Sequence, residues 1–95
     1  MYTFSMHEIY AIVTGKVQGV RYRDYVQVSA TGLGITGWVQ NLRDGTVAVC
    51  AQGMQDELKS FIEFLHEGSL QAQVEGVSVD WRTTKHRHDD FSIHF

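Results

Sequence analysis

The sequence predicts an α+β domain of β-α-β-β-α-β order with a short extra strand at its end, an antiparallel sheet carrying two helices on one face. Three observations predict it. Two stretches place apolar residues at helical spacing, between runs rich in β-branched residues. An Asp-Gly pair separates two of those runs, as in a tight hairpin. The chain has 95 residues, which is room for one compact core spanning 1–95 and not for a second domain.

The elements follow in order. His7 to Thr14 is almost continuously apolar and β-rich, as in a central strand covered on at least one face, and Gly15 ends it. From Tyr22 the apolar or small positions 22, 25, 26, 29, 30 and 33 form one helical stripe, and Gly32 and Gly34 provide the stop. Ile35 to Leu42 reads as the second strand, Arg43-Asp44-Gly45 as a turn and Thr46 to Gln52 as the third strand. Met54, Leu58, Phe61, Ile62 and Leu65 mark a second helix between Gly53 and Gly68. Val77, Val79 and Trp81 alternate in a fourth strand; a polar loop, Lys85 to Asp90, leads to a short closing strand, Phe91 to Phe95. This is the order of the ferredoxin-like sandwich.

Composition narrows the function. Hydrophobic residues at 43% and charged residues at 20% suit a globular chain and suggest neither disorder nor a membrane span. The longest apolar runs, such as Ile9 to Val13, are far too short to cross a bilayer, and the N-terminus lacks the pattern of a signal peptide. A cytoplasmic location is the expectation. A net charge of −3 argues against a non-specific nucleic-acid binder. The lone cysteine, Cys50, has no partner for an internal disulfide and lies in an alternating apolar run, so it reads as strand packing.

The most informative stretch is GKVQGVRYR, Gly15 to Arg23, between the first strand and the first helix. Lys16, Arg21 and Arg23 concentrate positive charge in a net-negative chain, which points to a local anion site. Independently of charge, Gly15 and Gly19 let the backbone through Val17, Gln18 and Val20 curl so that successive amides face inward as a nest. The helix beginning at Tyr22 adds its own unpaired N–H groups and the positive end of its dipole. Arg23 falls in that first turn, where a planar fork can grip two phosphoryl oxygens. On spacing alone, a tight connection with solvated basic side chains explains the loop equally well.

Other patterns carry less. The loop is no Walker A motif, because Val20 and Arg21 follow Gly19. Gly32 to Gly37 matches G-x-G-x-x-G, but with helix before and strand after, the reverse of a dinucleotide site. His86 and His88, interleaved with Lys85 and Arg87, read as a solvated loop rather than metal ligands. Tyr10 and Trp38 read as packing, since the third strand lacks the basic-aromatic pattern of an RNA-recognition module. Asn41 alone reads as an asparagine before a turn.

GKVQGVRYR together with GWVQNLRDGTV, Gly37 to Val47, resembles the signature pair of the acylphosphatase family, and the likeness extends through the closing FSIHF to essentially the whole chain. The resemblance implies a metal-independent, cofactor-free hydrolase that splits a small acyl phosphate into a carboxylate and inorganic phosphate. The loop backbone from Gly15 to Tyr22 and the Arg23 side chain would hold the phosphoryl group, and Asn41 would position the attacking water. Inorganic phosphate would be both product and competitive inhibitor, and the chain would act as a monomer with no nucleic-acid or membrane partner. Three positions depart from the family pattern: Tyr22 for phenylalanine, His94 for arginine and Ser69 for proline. The alternative is a non-catalytic module binding phosphate, an acyl phosphate or carbamoyl phosphate, since the same domain occurs within larger carbamoyl-transferring maturation proteins.

Overall fold

The computed structural model describes residues 6–84 and 86–95, so Lys85 of the expected polar loop lies outside the described residues. The elements are β1 (His7–Lys16), α1 (Tyr22–Gly32), β2 (Thr36–Asn41), β3 (Val47–Gly53), α2 (Gln55–Glu67), β4 (Gln73–Thr83) and β5 (Phe91–His94), the order the sequence predicts. They form one five-stranded sheet of order β4-β1-β3-β2-β5. Both helices cover one face. Ile9, Ala11 and Val13 of β1 and Val47, Val49 and Ala51 of β3 point into this layer, as the period of two requires, and meet Val26 and Ala30 of α1 and Leu58, Phe61 and Leu65 of α2.

Local chemistry sets the element ends. Helix α1 closes in a Schellman arrangement: the Ile35 N–H donates to the Ala30 carbonyl and the Gly34 N–H to the Thr31 carbonyl. Glu57 accepts the Met54 N–H at 3.1 Å and so satisfies one free donor at the start of α2. In the β2–β3 hairpin, Leu42 donates to the Thr46 carbonyl across a three-residue turn, with Asp44 accepting both the backbone N–H and the hydroxyl of Thr46.

The structure differs from the sequence reading in four places. The four strands β1 to β4 pair antiparallel, but β5 adds to β2 in parallel, Gly37 opposite Phe91, so the sheet is mixed. Four residues of alternating character carry no mark of direction, which is set by where the preceding connection crosses the sheet. Gly15 does not end β1; it pairs with Val74 beyond a register shift, and a Cβ there would lie 2.1 Å from the Gln73 carbonyl oxygen, so the strands approach closely only because the residue is glycine. Strand β4 starts four residues earlier than Val77 because its first residues ride on that bulge. The segment around His86 and His88 is not simply solvated. Gln52, fully buried, donates to the His86 carbonyl and accepts the His88 N–H, which holds the segment against the sheet face away from the helices.

Tyr10 and Trp38 are packing residues on that same face. Their rings meet edge to face at 6.2 Å, His94 stacks on Trp38 at 5.3 Å, and the Arg82 guanidinium lies over Tyr10. Cys50 is buried in β3; burial, then the nearby Glu8 carboxylate, pushes its thiol up to about 11, so the free thiol keeps its proton at pH 7.

Candidate active site

Strand β1 runs out at Lys16 and helix α1 begins at Tyr22, leaving Val17 to Arg21 as a tight loop. Gly19 (φ 74°) and Arg21 (φ 60°) both take left-handed backbone, which turns the chain sharply enough to gather its amides. A left-handed arginine is strained, and the neighbouring structure holds it there. Among the described residues, no backbone N–H from Val17 to Asp24 donates to a protein acceptor. A run of free donors at a helix start is an anion cradle by its own chemistry.

The loop is braced from three sides. The Gln18 carboxamide donates to the carbonyls of Leu42 (2.7 Å) and Thr46 (2.8 Å), tying the loop to the β2–β3 hairpin. Val17 and Val20 are buried in the core. The Ser69 hydroxyl donates to the Val20 carbonyl at 2.9 Å, anchoring the loop to the α2–β4 connection. The Tyr22 phenol runs through the core to the Leu65 carbonyl, 2.7 Å away, and so fixes the start of α1 against the end of α2.

A cleft of about 400 Å³ opens over this loop, lined by Gly19, Arg21, Arg23 and Asn41 and walled by Ile93 and Phe95. Arg23 is held on one side: its Nη1 donates to the His94 carbonyl at 3.0 Å and the guanidinium lies 4.7 Å from the centre of the Phe95 ring. Its other N–H groups remain for a ligand. Asn41, the last residue of β2, carries a buried Oδ1 with no hydrogen-bond partner among the described residues. Such an acceptor costs stability unless a donor in the cleft reaches it.

The structure therefore brings Arg23, Asn41, Gly19, Arg21 and the Val17 and Tyr22 backbone to one place. It does not bring all the expected residues there. Gly15 and Lys16 pair with β4; Gln18 and Val20 turn their side chains away as braces, which leaves only their backbone in the loop. Sequence reasoning missed Ile93 and Phe95, which close the cleft from the far edge of the sheet, and Asp24 in the first turn of α1. No local signal marks the first two, because they reach the site only through the parallel β2–β5 pairing. The bracing by Gln18 is equally silent in sequence, and Ser69 is marked there only as a departure from the family pattern.

The comparisons with known proteins agree with this geometry. A sequence model of the family described as Acylphosphatase matches residues 9–93. The chain is 43% identical over 91 residues to a protein named Acylphosphatase from Dehalococcoides mccartyi, covering 95% of this chain and all of that one. Its fold is similar to a crystal structure of acylphosphatase from Bacillus subtilis, with a TM-score of 0.91, 37% identity and coverage of 94% of this chain and 99% of that one. It is also similar to part of full-length HypF in its phosphate- and nucleotide-bound form, with a TM-score of 0.85 and 25% identity, covering 95% of this chain and 12% of that one.

Proposed function

The chain belongs to the acylphosphatase family and hydrolyses acyl phosphates to a carboxylate and inorganic phosphate, and from that premise we propose how its residues divide the work. The phosphoryl group sits in the free amides of Val17 to Tyr22 and on the open edge of Arg23. Asn41 holds the attacking water through its unpartnered Oδ1, in line with the departing carboxylate. The observation that carries this reading is the meeting of three complementary features in one cleft: free N–H donors, an anchored guanidinium and an orphaned acceptor.

The chemistry asks for little more. A carboxylate whose acid has a pKa near ~4 leaves without protonation, so no general acid is needed. A loose phosphoryl-transfer transition state is served by positioning and by charge stabilisation at the equatorial oxygens, which amides and an arginine supply. Asn41 accepts a hydrogen bond from the water but does not take its proton, which passes to the substrate. The chain works in this reading as a cytoplasmic, monomeric single domain without cofactor. A purely binding role accounts for the amide cradle but gives no use to the Asn41 acceptor.

The test is kinetic. Arg23→Lys keeps the charge but loses the planar fork and the anchored geometry, and kcat/KM for a simple acyl phosphate should fall on the order of 10²-fold or more. Asn41→Ala should lower kcat sharply while leaving phosphate affinity nearly intact. Lys16→Ala and Arg21→Ala should be mild, with circular dichroism checking each variant. Near-normal turnover by Arg23→Lys, or equal losses of kcat and phosphate affinity in Asn41→Ala, overturns the assignment.

A further inference from the structure

The sheet face opposite the helices carries a second cluster of chemically active side chains. Glu8 of β1, Cys50 of β3 and His88 from the β4–β5 connection bring a carboxylate oxygen, the Sγ and an imidazole nitrogen within 4.8 Å of one another. Glu8 stands opposite Gln52 and Cys50 opposite Tyr10, so the first two are diagonal neighbours on adjacent strands, held by the sheet. His88 is held by Gln52, whose Oε1 accepts the His88 N–H at 3.0 Å. The same carboxamide donates to Glu8 Oε1 at 2.9 Å and to the His86 carbonyl. One buried side chain thus orients the Glu8 carboxylate directly and holds the backbone that carries the His88 ring.

We propose that Glu8, Cys50 and His88 form a site for a divalent zinc-like cation, separate from the phosphate cleft. The donor set decides the class of ion. Thiolate, imidazole and carboxylate together suit Zn²⁺, or Co²⁺ in its place, whereas Mg²⁺ and Ca²⁺ take oxygen donors alone. With bonds of about 2.0–2.3 Å, a tetrahedral centre sets its ligand atoms roughly 3.3–3.8 Å apart. The observed spread closes to that by a movement of about 1 Å, which His88 can make because it lies on a connection and not in a strand. Water fills the fourth position.

The charges balance acceptably. Binding displaces the Cys50 proton to solvent, so the thiolate and the Glu8 carboxylate cancel the ion's two charges. Arg82, whose Nε lies 3.5 Å from Glu8 Oε2, opposes the cation. It is 42% exposed, so it can turn outward into solvent at the cost of its contact with the Tyr10 ring. The ion would staple the β4–β5 connection to the sheet and thereby fix the approach of β5.

The test uses the full chain, stripped of metal and then titrated with Zn²⁺ or Co²⁺. Zn²⁺ at about a hundredfold excess over its Kd should raise Tm by roughly 10–20 °C. Co²⁺ should give a near-ultraviolet thiolate charge-transfer band. His88→Gln and Cys50→Ser, checked for folding by acyl phosphate turnover, should each lose the Zn²⁺ shift, and Cys50→Ser should lose the band outright. Absence of the band in the parent protein, or a Zn²⁺ shift that persists unchanged in both variants, overturns the proposal.

Discussion

Replacing Tyr22 by phenylalanine removes a single oxygen from the core, and the structure gives the cost. The hydroxyl donates to the Leu65 carbonyl at 2.7 Å, and Tyr22 is only 1% exposed. Leu65 lies in the last turn of α2, where carbonyls have no intrahelical partner, and among the described residues no other donor reaches it. The ring stays, so the apolar transfer energy is kept, but a buried carbonyl is left alone at a cost of about 1–3 kcal/mol. In a chain of this size each kcal/mol moves Tm by about 4–8 °C, so Tyr22→Phe should melt roughly 5–20 °C earlier. Tyr25→Phe is the internal control. Its hydroxyl also lies 2.7 Å from a carbonyl, that of Phe64, but this carbonyl already accepts the Gly68 N–H, so the loss should be smaller. The assay is a melt followed by circular dichroism, with kcat and KM measured well below Tm, where both should be unchanged. Burial, then the charge of Tyr25, raises the Tyr22 phenol above its ordinary range. Because the folded value is the higher one, this stabilisation is complete below pH 10 and is lost as pH rises beyond it, and Tyr22→Phe should flatten that alkaline slope. A Tm within 1 °C of the parent, or a larger loss from Tyr25→Phe, refutes the reasoning.

Three other outcomes are expected. Turnover well below Tm should survive a strong chelator; loss restored by added Mg²⁺ or Zn²⁺ would place a metal in the chemistry. Inorganic phosphate and sulfate should inhibit competitively if product and substrate share the amide cradle as proposed, and an unchanged apparent KM at high phosphate would remove the loop from the site. Gly37→Ala should be severely destabilising or unfolded, since its Cβ would sit 1.9 Å from the Cys50 carbonyl oxygen at φ 142°; a melt within 2 °C of the parent is the contrary result.

Much of the fold was readable because the signals are local. The stripe from Tyr22 to Leu33, the Asp44-Gly45 turn and the alternation in β3 each state an element within a few residues. The partner and direction of β5, the entry of Gly15 into a strand and the early start of β4 were not readable, since each depends on a distant segment. At the site, Arg23 and Asn41 were marked by their motifs. What Asn41 lacks, a partner for Oδ1, appears only once the surrounding backbone is in place. Ser69 stood out in the sequence as a departure, and its hydroxyl turns out to hold the loop at Val20. Tyr22 stood out likewise, and its extra oxygen ties the two helices together.

The anchoring of Arg23 by His94 and Phe95 has a kinetic meaning. Strand β5 joins β2 across more than half the chain, the kind of long loop closure that is entropically expensive and tends to come late. Until it docks, helices and the antiparallel strands can be in place while the guanidinium swings free. Regain of turnover during refolding should then lag behind regain of ellipticity and coincide with the change in Trp38 emission as His94 stacks on its ring. If Arg23 holds the phosphoryl group as proposed, catalytic competence reports on the final strand, and a population frayed only at β5 would look folded by most probes and yet be inactive.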